Sequence, residues 1–166
     1  MLERNVQNVL IGLARKKGYQ GDIYSMEMKI MISKRFGNMI IAKLEKNDDV
    51  FESIENLIDE YIIKGGIIVS GVGMLKNFEI GYWNGKEYEK KVIEKNHELV
   101  SMHGSIAEND PKIHIHVGLA GPDHFLIGGH LISAKADPMV ELTILETGLP
   151  IQRVFNEKTS LKEMSF

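Results

Sequence analysis

What most constrains this chain is a long succession of short strand-like runs, each closed by a turn signal, with a single helical period ahead of most of them. Residues 38–44 read as a first strand. Residues 66–70 (GIIVS) have the continuous apolar character of a strand covered on both faces, and 78–83 lead through Asn84-Gly85 into a hairpin partner at 87–94. Further runs at 98–106, 113–119, 125–133, 139–146 and 151–155 are separated by Asn-Asp-Pro, Gly-Pro-Asp, Ala-Asp-Pro and Gly-Leu-Pro. Gly71-Val72-Gly73 is expected to serve a tight turn. In 49–64, Val50, Ile54, Leu57, Ile58, Tyr61 and Ile62 fall on one helical face. Asp49 and Glu52 have capping-box spacing, and Gly65 is expected to close the helix in a left-handed conformation. The pattern predicts seven to nine strands around one main helix.

At 166 residues the chain suits one domain, large enough to reach marginal stability without disulfides or a structural metal. A metal in such a chain is functional rather than structural. The absence of cysteine excludes thiol catalysis, iron–sulfur clusters and cysteine-based zinc sites, and suits a reducing cytoplasm. Apolar runs are far shorter than the ~20 residues of a membrane span, so the expectation is a soluble cytoplasmic protein. Residues 1–33 read as an N-terminal extension to a domain at 34–166. In the extension, Val6, Val9, Leu10 and Leu13 form either an amphipathic helical segment or part of a poorly ordered leader; the native product could also begin near Met26, Met28 or Met31. Residues 1–35 carry seven basic and three acidic side chains, and 36–166 carry 13 and 20, so the body is acidic and repels nucleic-acid phosphates.

Five of the six histidines lie between His103 and His130. In Ile113-His114-Ile115-His116-Val117, strand alternation puts both histidines on one face and the aliphatic residues on the other. Two positions along a strand span about 6.5–7 Å, close enough for two imidazoles to lean onto one ion. His130, behind Gly128-Gly129, is the candidate third ligand. His103, on a polar face with Ser101 and Ser105, is a fourth ligand or a partner to the ligands. A lone strand histidine is more often a surface or interface residue, and His97 and His124 are read that way, in turn-like contexts. All-imidazole ligation favours zinc or another divalent transition metal over calcium or magnesium, and three ligands leave a position open. Tyr82, Trp83 and Tyr88 are explained by cross-strand packing or by an exposed aromatic patch. No nucleophile elbow or phosphate-binding loop is present, and Gly71-Val72-Gly73 does not lead into a helix as a dinucleotide fingerprint requires.

The order of several motifs resembles the plants-and-prokaryotes-conserved (PPC) domain family. They are Arg35-Phe36-Gly37-Asn38, DVFESI at 49–54, Ser70-Gly71-Val72-Gly73-Met74-Leu75, Glu79-Ile80-Gly81-Tyr82-Trp83, residues 99–106, residues 114–117, Gly128-Gly129-His130-Leu131 and RVFNEKTSL at 153–161. The resemblance covers about 35–164, with departures at Asn38, Asn156 and Ser160. It implies an α/β (α+β) domain with a mixed, strongly curved sheet packed on one helix, assembling as a homotrimer. Some members look like metal-binding proteins with histidines matched by His114, His116 and His130. Prokaryotic members are often labelled DNA-binding by analogy, while plant members carry an AT-hook that this sequence lacks.

Three readings follow. The first is a homotrimeric metal-binding module that takes a small-molecule ligand or partner at the histidine pocket. The second is a zinc-dependent hydrolase or lyase with Glu141 as general base. The third is DNA binding or regulation through the basic segment with Arg4, Arg15, Lys16 and Lys17.

Overall fold

The computed structural model describes residues 31–166; the expected helical segment at 2–19 and the candidate starts at Met26 and Met28 lie outside the described residues. The order of elements is β1 (Ile32–Phe36), β2 (Met39–Leu44), α1 (Val50–Tyr61), β3 (Gly65–Trp83), β4 (Tyr88–Ile93), β5 (His97–Ala107), β6 (Ile113–Ala120), β7 (Leu126–Glu146), β8 (Gln152–Asn156) and β9 (Leu161–Ser165).

Helix α1 starts where the capping residue predicts. The Asp49 carboxylate accepts hydrogen bonds from the backbone N–H groups of Phe51 and Glu52, at 3.0 and 3.2 Å. Its apolar face buries Val50, Ile54, Leu57 and Ile58. The C-terminus differs from expectation: Ile62, not Gly65, takes the left-handed conformation, at φ 56°. Gly65 instead opens β3, where a Cβ would stand 2.2 Å from the carbonyl oxygen of Leu149. The glycine is needed for close approach of backbone, not for a cap.

Seven strands form one sheet in the order β1-β2-β7-β6-β5-β3-β4, and an additional β7–β3 pairing closes β3, β5, β6 and β7 into a ring. Strands β8 and β9 make a separate two-stranded sheet. The sheet is strongly curved, as expected, but each of its strand pairings is antiparallel rather than mixed. The reason lies in the β2–α1–β3 crossover. Strands β2 and β3 run parallel to each other, yet β7 lies between them and pairs antiparallel with both.

Two expected turns are bends inside long strands. Gly71-Val72-Gly73 lies within the 19-residue β3, and Ala136-Asp137-Pro138 within the 21-residue β7. The β3–β7 register shifts between Gly73 and Leu75, where Gly73 has φ 141° and a Cβ would stand 2.2 Å from the Met139 carbonyl oxygen. The glycine thus relieves a crossing of two backbones. Asn84-Gly85 does form the expected hairpin loop, with the Asn84 side chain accepting from the N–H groups of Lys86 and Glu87.

The core collects the inward residues of the ring and of α1, among them Leu57, Ile68, Phe78, Met102, Ile106, Ile115, Leu131 and Leu142. On β6 the alternation is regular: Ile113, Ile115, Val117 and Leu119 are buried, and the residues between them face outward. No helix among the described residues is long and apolar enough to cross a membrane.

Candidate metal centre

Antiparallel pairing sets directly opposed residues on the same face of a sheet, so register decides which histidines can meet. His116 on β6 stands opposite His103 on β5 and opposite His130 on β7. His114, two residues back along β6, stands opposite Ser105. One outward face of the ring therefore carries all four.

Three of them converge. One ring nitrogen from each of His114, His116 and His130 lies within 4.8 Å of the others. The Nε2 atoms of His114 and His116 are 3.2 Å apart. Two nitrogens held at 2.0–2.1 Å by a tetrahedral ion are separated by about 3.3 Å, so this spacing already matches shared coordination. The ring centroids are 5.0 to 5.5 Å apart. His130 Nδ1 is buried and has no hydrogen-bond partner. A buried orphan nitrogen is costly, and an ion is a partner that imidazole accepts.

Burial and neighbouring charge favour the neutral form of two of these rings. The pKa of His114 is lowered to about 4, first by burial and then by the positive charge that His130, His116 and Arg153 present to it. His130 is also lowered, by burial and by His116. Neutral imidazoles offer lone pairs, which is the form a metal requires. The donor set and spacing thus fit a zinc-class ion, which would act there as a Lewis acid with a position left for a further ligand.

The structure leaves His103 exposed, beside His116 but outside the converging group. Glu141 is eleven residues beyond His130 on β7, about 35 Å of strand contour, and pairs with Lys43 and Val72 on the rows of other strands. It does not reach the histidines. His97 is not a loose surface residue: it opens β5, its ring meets Phe78 edge-on at 5.1 Å, and its Nδ1 lies 3.0 Å from the Lys95 carbonyl oxygen. His124 does occupy an exposed turn, at φ 63°.

Two supporting side chains escaped the sequence reading of the site. Tyr88 stacks on His130 with centroids 4.7 Å apart, over the space left by Gly81, where a Cβ would stand 2.9 Å from the Tyr88 ring. Trp83 packs on Tyr88 in turn, so cross-strand packing accounts for that aromatic pair. Arg153, on β8, is buried and donates to the carbonyl and hydroxyl oxygens of Ser105 at 3.2 and 2.8 Å, one strand over from His114.

Comparison with known proteins places this geometry in context. The family model of the Plants and Prokaryotes Conserved (PCC) domain matches residues 31–148. No curated protein matches. Among solved structures, a metal-containing protein from Archaeoglobus fulgidus is 31% identical, covering 84% of this chain and 100% of its own, with a TM-score of 0.71. A plant- and prokaryote-conserved protein from Pyrococcus horikoshii is 25% identical, covering 85% and 98%, with a TM-score of 0.68. A candidate DNA-binding protein from Bacteroides thetaiotaomicron shares the fold at 22% identity and a TM-score of 0.76, covering 83% and 99%. With its family match spanning the helix, the closed ring and the histidine face, the chain belongs to the Plants and Prokaryotes Conserved domain family.

Proposed function

We propose that this protein is a metal-binding, ligand- or partner-binding module that holds a zinc-class divalent ion between His114, His116 and His130 and works as a homotrimer. The domain at 34–166 carries this role, with 1–33 as an extension to it. The observation that carries the reading is the convergence of three imidazole nitrogens from two strands within 4.8 Å, next to a buried His130 Nδ1 that has no other partner. The relative from Archaeoglobus fulgidus, named as metal-containing, supports it.

Assembly is supported by an apolar stripe on the outer face of the sheet. Phe36, Met39, Leu145 and Ile67 stand in one register row, with Phe36 52%, Met39 36% and Leu145 38% exposed. A closed assembly would remove it from water.

A hydrolase is not proposed: Glu141 is remote, and among the described residues no acidic side chain lines the hollow beside the histidines. DNA binding has the names of structural neighbours on its side, at identities that carry the fold alone, and an acidic body against it.

The test is elemental analysis of protein purified without chelator, together with sedimentation equilibrium. We expect about one zinc-class ion per chain, lost in His116→Ala, and a trimeric mass. Metal-free protein whose melting is indifferent to added zinc would overturn the metal assignment, and a monomer would overturn the assembly.

A further inference from the structure

One row over from His103, His116 and His130, the residues in register are Ser101 on β5, Gly118 on β6 and Gly128 on β7. Two of these three carry no side chain, and at Gly128 the neighbouring backbone excludes one. A Cβ at Gly128 would stand 2.3 Å from the Val117 carbonyl oxygen, and one at Gly118 would stand 2.8 Å from Ser101 Oγ. The next row carries Leu126, opposite Ala120. A hollow of about 340 Å³ lies here, lined by Ser101, His103, His116, Gly118, Leu126 and Gly128 among others. That volume is at the lower end of small-molecule sites.

From this arrangement we infer that the hollow binds a short-chain carboxylate, whose charged end meets the ion beside His116 and whose hydrocarbon end lies on Leu126. The inference rests on the metal-binding reading above and names the ligand class of that site. Three neutral imidazoles do nothing to cancel the charge of a divalent ion, and no acidic residue among the described ones lines the hollow, so the site attracts an anion. Each neutral or charged form of His103 has a ring N–H, and Ser101 has a hydroxyl. Both are donors suited to carboxylate oxygens. Leu126 is 64% exposed, an aliphatic surface that suits methylene groups and would disfavour the all-oxygen shell of phosphate.

The experiment uses the full chain loaded with cobalt(II), whose visible absorption reports changes at the ion, titrated with butyrate, acetate and inorganic phosphate. We expect butyrate to shift the spectrum at lower concentration than acetate or phosphate. His103→Ala should keep the cobalt and weaken butyrate about tenfold, the loss expected for a hydrogen bond to a charged group. Leu126→Glu, at an exposed position that tolerates a polar residue, should weaken butyrate more than acetate. Failure to load cobalt defeats the metal reading and this inference with it. Cobalt that loads but ignores butyrate defeats the inference alone. Phosphate binding more tightly than butyrate overturns the ligand class, and loss of cobalt from His103→Ala makes His103 a metal ligand and removes it from this role.

Discussion

Gly81 owes its identity to its neighbour: the Tyr88 ring occupies the space in which a larger residue would place its side chain, and from there it stacks on His130. An aromatic pair of this kind contributes about 0.5–1.5 kcal/mol, so Tyr88→Ala is expected to weaken metal binding by roughly tenfold at most while leaving the ion bound at saturation. His116→Ala removes a donor itself and should abolish stoichiometric binding. Isothermal titration with zinc separates the two outcomes. Gly104 works differently. A Cβ there would stand 2.2 Å from the carbonyl oxygen of His114, so Gly104→Ala must shift the β6 backbone at a ligand. Loss of both stability and metal affinity is expected, measured as a lower melting temperature and a raised Kd. Metal itself should stabilise the fold, by about 2.7 kcal/mol when free zinc stands at 100 times its Kd, and chelation should remove that increment in calorimetry.

At the level of elements, helix α1 was legible because amphipathic period, cap and length all agree, and Asp49→Ala should cost about 1 kcal/mol in denaturant unfolding. The histidine face of β6 was legible for the same kind of reason, since alternation needs no knowledge of partners. Strand lengths were not. Gly71-Val72-Gly73 and Ala136-Asp137-Pro138 carry turn chemistry, yet neighbouring strands hold them extended, so four expected strands are two. Strand β1 was missed because Ser33, Lys34 and Arg35 break its apolar pattern, and β9 likewise at Lys162 and Glu163. Tyr88 and Arg153 were invisible as site residues because only the register of β3, β4 and β7, and the packing of β8, bring them near the histidines.

Strand β7 also holds a pH-sensitive contact. Asp137 is buried and pairs with Lys76 at 2.6 Å and Lys46 at 3.5 Å, and the hydrogen bond from Lys76, foremost, holds its pKa below the usual carboxylate value. A depressed folded-state pKa contributes stability above the unfolded value, and that contribution is lost as pH falls through the folded one. Asp137→Asn should therefore destabilise the protein at neutral pH, with the difference from wild type shrinking below about pH 4. Urea melts at pH 7 and pH 3 would show it; an equal deficit at both would mean that the loss is not ionic.

In the unit at 31–166 the sheet turns its core face inward and carries an apolar row on its other face along β1, β2 and β7. If this row joins subunits, Phe36→Glu should dissociate the assembly while the monomer keeps its circular dichroism. Each such side chain contributes about 1.5–3 kcal/mol when fully buried. Sedimentation velocity reads the mass, and an intact oligomer in the variant would place the contact elsewhere.

The long reach of β7 sets a timetable for synthesis. Leu145 is the register partner of Met39, and Glu146 that of Gly66, so two early strands wait for the same late one. At about 5–20 residues per second the ribosome takes roughly 5–20 s to travel from Met39 to Leu145. Through that interval the edges of β2 and β3 that β7 covers have no other strand partner among the described residues, and a message truncated before β7 lacks the strand that closes the ring.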